Sequence, residues 1–225
     1  MLIKTFLDEL KKAADPERAI QMAKYHKVKR TYLGLSNGQL NDFAKVWRKD
    51  LTVTDRVILA DQLWKTDIYE ARLAAAKLLT QARINPDHKV WKMICSWASS
   101  FDSWAIADHA CMAGHKRIIA DPARIDDIAD WALSEHMWMR RAALVITLPW
   151  AREKQLSSVD IARRERILDW AESYVEDHEW FIQKAIAWWL RDLSKRDPKR
   201  VATFLQSNAS RMKPFARKEA SKYLD

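Results

Sequence analysis

Four aspartate–proline or asparagine–proline dipeptides constrain the fold of this chain more than any other feature. A short polar side chain at the N-cap followed by proline at the first helical position is a typical helix start. Four copies in a chain of 225 residues therefore predict a succession of helices. They are Asp15-Pro16, Asn85-Pro86, Asp121-Pro122 and Asp197-Pro198.

The stretches between these dipeptides have helical periodicity, with apolar residues at i, i+3, i+4 and i+7. Two examples are Val57, Leu59, Ala60, Leu63 and Trp64, and Ile125, Ile128, Ala129, Ala132 and Leu133. The chain has only 3 glycines, too few for the turns of a many-stranded sandwich or barrel. We therefore predict an all-α fold of about a dozen helices joined by short loops.

A weak internal repeat runs through the chain, in which a basic residue precedes small and apolar residues. Its spacing suits helical-pair repeats of about 34 to 47 residues, which stack into a solenoid with a concave face. Because no linker interrupts the array, we predict one domain over 1–225, with an N-terminal helical cap over 1–34 and repeats over 35–225. The repeated segments are 72–76, 141–144, 184–187 and 218–221.

The net charge of +9 favours a polyanionic partner, a membrane surface or no specific partner. Charges interrupt every apolar stretch, so we expect no membrane span. The N-terminus has no apolar signal region, and Cys95 and Cys111 are too few for a disulfide framework. We expect a cytoplasmic monomer with reduced thiols.

Several kinds of enzyme site have no motif in this sequence. Neither glycine-rich phosphate loops nor a G-x-S-x-G elbow occurs. The 6 histidines form no H-E-x-x-H pair, and the cysteines lack metal-ligand spacing. We interpret His109 and His115 as surface or satisfied core residues, and we expect no metal and no cofactor.

Trp104 and Asp108 stand four residues apart, on one face of a predicted helix. A lone carboxylate buried beside an aromatic ring is costly. Asp108 therefore either meets a cation or faces an open cleft. The alternative is a carboxylate near a helix N-terminus that pairs with an arginine of a neighbouring repeat.

The 12 tryptophans are more than a core needs, and the excess indicates that a few line a surface groove. Packing roles are expected for Trp131, Trp170 and Trp189. Neighbours on a helix differ by about 100°, so Trp188 and Trp189 face different sides. One should pack inside, and the other should face a groove or solvent.

Three tracts, in this order, resemble those of the AlkD family of DNA glycosylases. The most specific, W-F-I-Q-K-A-I-A-W-W-L-R, resembles the signature tract of that family. Weaker correspondences precede them, and together they cover most of the chain. The three tracts are Trp104–Asp108, Trp138–Ala143 and Trp180–Arg191, and the weaker segments are Tyr32–Leu35, Leu63-Trp64 and Tyr69–Arg72.

The resemblance implies a HEAT-like solenoid whose concave face holds duplex DNA. It implies base excision repair of cationic N3- and N7-alkylpurines, without flipping the damaged base into a pocket. By motif position, Asp108 matches the catalytic carboxylate of the family, and Trp104 matches its first aromatic residue. Arg141 matches the cleft arginine, and Trp188 matches the second aromatic residue.

Asp102 competes with Asp108 for the position of the carboxylate, and we prefer Asp108 because the W-x-x-x-D spacing is kept. Further contacts with the DNA backbone are expected from three basic residues. They are Lys184, Arg140 and Lys27.

The chemistry of the implied reaction suits these residue types. A purine alkylated at N3 or N7 is already cationic and leaves without a general acid, so the enzyme must stabilise the sugar cation. Asp108 can do so electrostatically and can orient the attacking water.

Two alternatives to a glycosylase are a non-catalytic helical-repeat module that binds DNA or RNA backbone, and a protein-binding scaffold. A module that only binds nucleic acid would not need the Asp108 carboxylate, and a protein-binding scaffold would not need the net charge of +9.

Overall fold

A computed structural model describes residues 3–224 of the chain. Within them the regular elements are helical, apart from one isolated bridge between Thr31 and Ile68, and the all-α prediction is confirmed. Over the same residues, no helix combines the length and apolar character needed to cross a membrane. The helices are α1 (Ile3–Lys12), α2 (Pro16–His26), α3 (Asn37–Asp50), α4 (Val53–Trp64), α5 (Tyr69–Leu79), α6 (His88–Trp97), α7 (Trp104–Ala120), α8 (Ile125–Ala132), α9 (Met137–Ile146), α10 (Leu148–Arg152), α11 (Ser158–Ser173), α12 (Trp180–Ser194), α13 (Pro198–Asn208) and α14 (Pro214–Ala220).

Three of the four predicted helix starts are confirmed. The Asp15 carboxylate accepts a 3.0 Å hydrogen bond from the Arg18 backbone N–H at the start of α2. Asp197 caps α13 in the same way. Asp121 caps a 3-10 turn that leads directly into α8.

The fourth prediction, at Asn85-Pro86, is wrong. This peptide bond is cis, and α6 begins two residues later, at His88. Asp87 takes the N-cap position, but its carboxylate accepts a 2.9 Å hydrogen bond from Arg117 instead of capping the helix. The carboxylate at this N-cap thus binds a partner 30 residues away in place of the backbone of its own helix.

The chain forms two compact units, residues 3–117 and 118–224. In the first, α3 and α4 both pack against α5. The α5 positions Ala71, Ala74, Ala75 and Ala76 are fully buried, and these small side chains let the helices approach closely. Trp64 of α4 stacks on Trp97 of α6 with ring centroids 4.2 Å apart.

The segment 31–35, between α2 and α3, is fastened to the first turn of α5. The fully buried Glu70 carboxylate accepts backbone hydrogen bonds from Leu33, Gly34 and Leu35 at 2.7–3.3 Å. Three hydrogen bonds to one carboxylate compensate the cost of burying its charge.

In the second unit, α12 is the central helix and packs against α9, α10, α13 and α14. Its residues Ala185, Ile186 and Trp189 are at most 1% exposed. The four segments of the predicted repeat lie in α5, α9, α12 and the end of α14, and each contributes at least one buried alanine. The assignment of one domain over 1–225, with a cap over 1–34, stays a prediction.

Candidate functional site

Asp108 lies in the second turn of α7, four residues after Trp104. It is 6% exposed, and the nearby α7 residues Ala107 and Cys111 are fully buried. The surroundings of its carboxylate are therefore less polarisable than bulk water, and a cation near it interacts more strongly than it would at the surface.

The Trp104 ring is partly buried against α2. Its centroid lies 5.5 Å from that of His26 and 6.2 Å from that of Tyr25, in an edge-to-face contact with the latter. Tyr25 itself is 69% exposed. Trp104 thus belongs to a group of rings that reaches the surface of the first unit.

Two tyrosines extend this group inward. Tyr69 stacks on Tyr32 at 4.8 Å, and the Tyr69 hydroxyl lies 2.9 Å from His26 Nδ1. Burial raises the pKa of Tyr69 far above its ordinary value and lowers the pKa of His26. Both side chains are consequently neutral near pH 7. We refer to Tyr25, His26, Tyr32, Tyr69 and Trp104 as the aromatic cluster.

A cavity of about 230 Å³ adjoins Trp104 and is lined on its polar side by Asn37 and His109. His109 Nδ1 lies 2.7 Å from the Ala105 carbonyl oxygen, and His109 Nε2 lies 3.1 Å from Asn37 Oδ1. Burial lowers the pKa of His109 to about 4. The neutral ring donates its Nδ1–H to the Ala105 carbonyl oxygen, which leaves Nε2 as an acceptor. The side-chain amide of Asn37 must therefore turn its NH₂ group, and not Oδ1, toward His109. His109 is a satisfied histidine, as predicted.

Asp102 has an identified ionic partner. Its Oδ2 lies 2.5 Å from Nη2 and 2.6 Å from Nε of Arg30, and Arg30 also reaches Asp67. This pair ties the turn before α7 to the segment that follows α2. Asp108 stays the candidate carboxylate because it keeps the four-residue spacing from Trp104 on α7.

Two adjacent arginines of α9 have different surroundings. Arg141 is 5% exposed, donates a 2.9 Å hydrogen bond to the Phe181 carbonyl and lies over that ring. Arg140 forms an ion pair with Asp177 at 2.8 Å and donates to the carbonyls of Ser134 and Glu135. These contacts give Arg140 a structural role, and its contact with phosphate stays a prediction.

The two predicted lysine contacts are exposed. Lys184 Nζ lies 5.7 Å from the Trp180 ring centroid and 5.8 Å from that of Phe215. Lys27 ends α2 in a left-handed conformation with φ of 56°. Both ammonium groups are accessible to an anion.

The prediction that Trp188 and Trp189 face different sides of their helix is confirmed. Trp189 is 0% exposed, whereas Trp188 is only partly buried. Trp131 is buried as predicted. Trp170 is partly buried, and the Arg166 guanidinium covers its ring at 5.5 Å.

Trp188 borders a cavity of about 490 Å³ on the second unit. Four basic side chains and one carboxylate accompany it, so the cavity has a surplus of positive charge suited to a phosphate group. Asp192 shows the same four-residue spacing to a tryptophan as Asp108, which is a sequence signal that we missed. Arg152 has no such signal. The lining residues are Arg152, Trp188, Arg191, Asp192, Lys195 and Arg196.

A family profile described as DNA alkylation repair enzyme matches residues 6–224. No curated protein sequence matches the chain.

Several solved structures share its fold, among them the following three. A predicted DNA alkylation repair enzyme from Enterococcus faecalis is 22% identical, with a TM-score of 0.78 over 94% of this chain and 96% of that one. AlkD2 from Streptococcus mutans is 18% identical, with a TM-score of 0.67 over 100% of both chains. Smu.31 from Streptococcus mutans UA159 is 19% identical, with a TM-score of 0.62 over 84% of this chain and 92% of that one.

Proposed function

Because the chain belongs to the DNA alkylation repair enzyme family, we propose that it is a DNA glycosylase. Its proposed substrates are cationic N3- and N7-alkylated purines in duplex DNA, which it excises by hydrolysing the N-glycosidic bond without flipping the base. The observation that carries this proposal is the buried carboxylate of Asp108, one helical turn after the partly exposed Trp104. We further propose that it acts as a monomer in the cytoplasm, where its free cysteines stay reduced.

The reaction breaks the bond between C1′ and the purine nitrogen. The electron pair stays with the purine and neutralises its positive charge, so this leaving group needs no proton. The sugar is left as an oxocarbenium cation, to which water adds at C1′. The water proton passes to the Asp108 carboxylate and then to solvent.

Asp108 supplies the charge that this reaction needs. Its carboxylate repels the phosphates of the bound substrate and attracts the sugar cation only as the bond breaks. The attraction is therefore stronger in the transition state than in the ground state, which is the condition for catalysis. The burial of Asp108 strengthens the effect, because solvent screens the charge less.

The remaining residues are proposed to hold the DNA. Trp104 and Trp188 offer π faces to the sugar cation. Arg141, whose guanidinium is oriented by the Phe181 carbonyl and ring, contacts a phosphate. The cationic cavity beside Trp188 adds affinity for the backbone that does not depend on base sequence.

A single-turnover assay tests the proposal. The wild type is incubated with duplex DNA that carries one N7-methylguanine, and the free base and the abasic site are measured. We expect Asp108→Asn to lower the excision rate by about 10² to 10³ while DNA binding is unchanged or tighter. Asp50→Asn, on an exposed aspartate that ends α3, is the matched control and should excise at the wild-type rate.

Two results would contradict the proposal in different ways. If Asp108→Asn excises as fast as the wild type, Asp108 is not the catalytic group, and Asp102→Asn becomes the next variant to measure. If the wild type binds duplex DNA but releases no base from DNA that carries N7-methylguanine or N3-methyladenine, the non-catalytic alternative is correct.

A further inference from the structure

The indole of Trp188 is tethered to a carboxylate on its own helix. Trp188 Nε1–H donates a 3.1 Å hydrogen bond to Asp192 Oδ2, one turn further along α12. Asp192 is only 5% exposed, so this acceptor is held in place by the protein around it. The tether therefore fixes one edge of a ring that is otherwise partly exposed.

A second residue restrains the same ring from its face. Nε and Nη2 of Arg152 both lie 2.8 Å from Asp192 Oδ2, the oxygen that also accepts from Trp188. The Arg152 guanidinium lies 5.9 Å from the Trp188 ring centroid. Asp192 thus connects the guanidinium and the indole through one atom.

The neighbouring Trp189 shows that a tryptophan on this helix does not require such a tether. It is fully buried, and its Nε1 has no hydrogen-bond partner among the described residues. Close packing alone holds Trp189. Trp188 is covered by protein on only part of its surface, so packing alone does not hold its ring. The hydrogen bond to Asp192 supplies the restraint that packing does not.

We propose that Asp192 and Arg152 are positioning residues, which hold the Trp188 indole in the orientation that it uses on DNA. This inference rests on the proposed function, in which the Trp188 face meets the sugar cation. Neither residue needs to touch the reacting atoms. A misplaced group at the site lowers the reaction rate even when the substrate still binds, because the group no longer has the productive orientation toward the reacting atoms.

The tether can be observed without measuring activity. In protein labelled with ¹⁵N-tryptophan, the Trp188 indole N–H signal is the one that disappears in Trp188→Phe. We expect this signal to move upfield in Asp192→Ala and in Arg152→Met, since the acceptor is removed or reoriented. Asp169→Asn, on an exposed aspartate of α11, should leave it unchanged.

Single-turnover excision at saturating enzyme then tests positioning with a double-mutant cycle. Trp188→Phe keeps an aromatic ring and removes the N–H. We expect Asp192→Ala and Trp188→Phe each to lower the rate by about 10-fold to 10²-fold without weakening DNA binding. The double variant should be no slower than the slower single variant, because both changes remove one interaction.

The outcomes separate this inference from the proposed function. Multiplicative effects in the cycle, or an unmoved indole signal, would overturn the positioning role. If Asp192→Ala fails to fold, Arg152→Met replaces it in the cycle with the same expectation for the single-turnover rate at saturating enzyme. This variant also loses a charge from the cationic cavity, so weaker DNA binding is expected of it and does not count against the positioning role. If the wild type releases no base, the proposed function fails, and the indole signal alone decides whether the tether exists.

Discussion

The Glu70 carboxylate accepts a 2.7 Å hydrogen bond from the backbone N–H of Gly34. Leu33 and Leu35 donate to the same carboxylate. Two short segments that are far apart in the sequence are thereby joined at a buried point. Gly34 is also the only described residue at this junction whose φ, +80°, lies in the left-handed region.

Replacing Glu70 with glutamine should destabilise the first unit. Glutamine keeps the shape, but it loses the charge and turns an N–H toward backbone donors. Hydrogen bonds to charged groups contribute about 1.5 to 3 kcal/mol, and we expect a loss of that size in the free energy of unfolding. Urea denaturation measures it. Glu17→Gln, on an exposed glutamate of α2, should change stability by less than about 0.5 kcal/mol.

Gly34→Ala and Gly38→Ala should have opposite effects. A Cβ on Gly34 would meet the Asp15 carbonyl oxygen at 2.1 Å, with φ at +80°. The left-handed conformation alone costs about 1 to 2 kcal/mol for alanine, and the backbone contact adds to it. Gly38 lies in α3 with only Ser36 Oγ nearby at 3.7 Å, so alanine there should stabilise by about 0.5 to 1 kcal/mol. Equal melting temperatures for the two variants would contradict the prediction that alanine destabilises at Gly34 and stabilises at Gly38.

Acid should weaken the fold through His109. Its pKa of about 4 in the folded chain lies below the ordinary histidine value of 6.5, so in between the unfolded chain binds a proton that the folded chain excludes. The contribution of His109 is therefore complete above about pH 6.5 and is lost as the pH falls toward about 4, by at most about 1.4 kcal/mol per pH unit. His26, whose pKa is also lowered, adds in the same direction. Unfolding free energies between about pH 7 and pH 5 should fall less steeply in His109→Gln than in the wild type. Parallel curves would exclude this role.

Binding to undamaged duplex DNA should be weak, sensitive to salt and nearly independent of sequence. The net charge of +9 and the cationic cavity beside Trp188 supply contacts with phosphate, and no motif for base recognition accompanies them. Affinity for two unrelated duplexes should fall together, by about tenfold or more, between roughly 50 and 200 mM salt. Tight binding to one of them that salt leaves unchanged would refute this expectation.

Local signals in the sequence predicted the local parts of the structure. The caps at Asp15, Asp121 and Asp197 depend on residues two or three positions away, and they were predicted correctly. The different burial of Trp188 and Trp189 follows from helical geometry alone.

Contacts between distant segments gave no signal in a single sequence. The N-cap carboxylate of Asp87 is bound by Arg117, and the surroundings of Trp104 depend on α2. The ion pair of Asp102 with Arg30 spans 72 positions, so motif spacing gave no indication that this carboxylate was engaged. Asp192 was within reach of sequence reasoning, since it lies one turn from Trp188.

The contact between Trp104 and His26 makes α2 part of the surroundings of a residue that we propose to act on DNA. Terminal helices are usually the first to be trimmed when a protein is shortened for study. Here a chain that started after α2 would lose the Tyr25 and His26 rings and expose one face of Tyr69. A truncation that removes α2 would therefore change the packing of Trp104 without altering that residue.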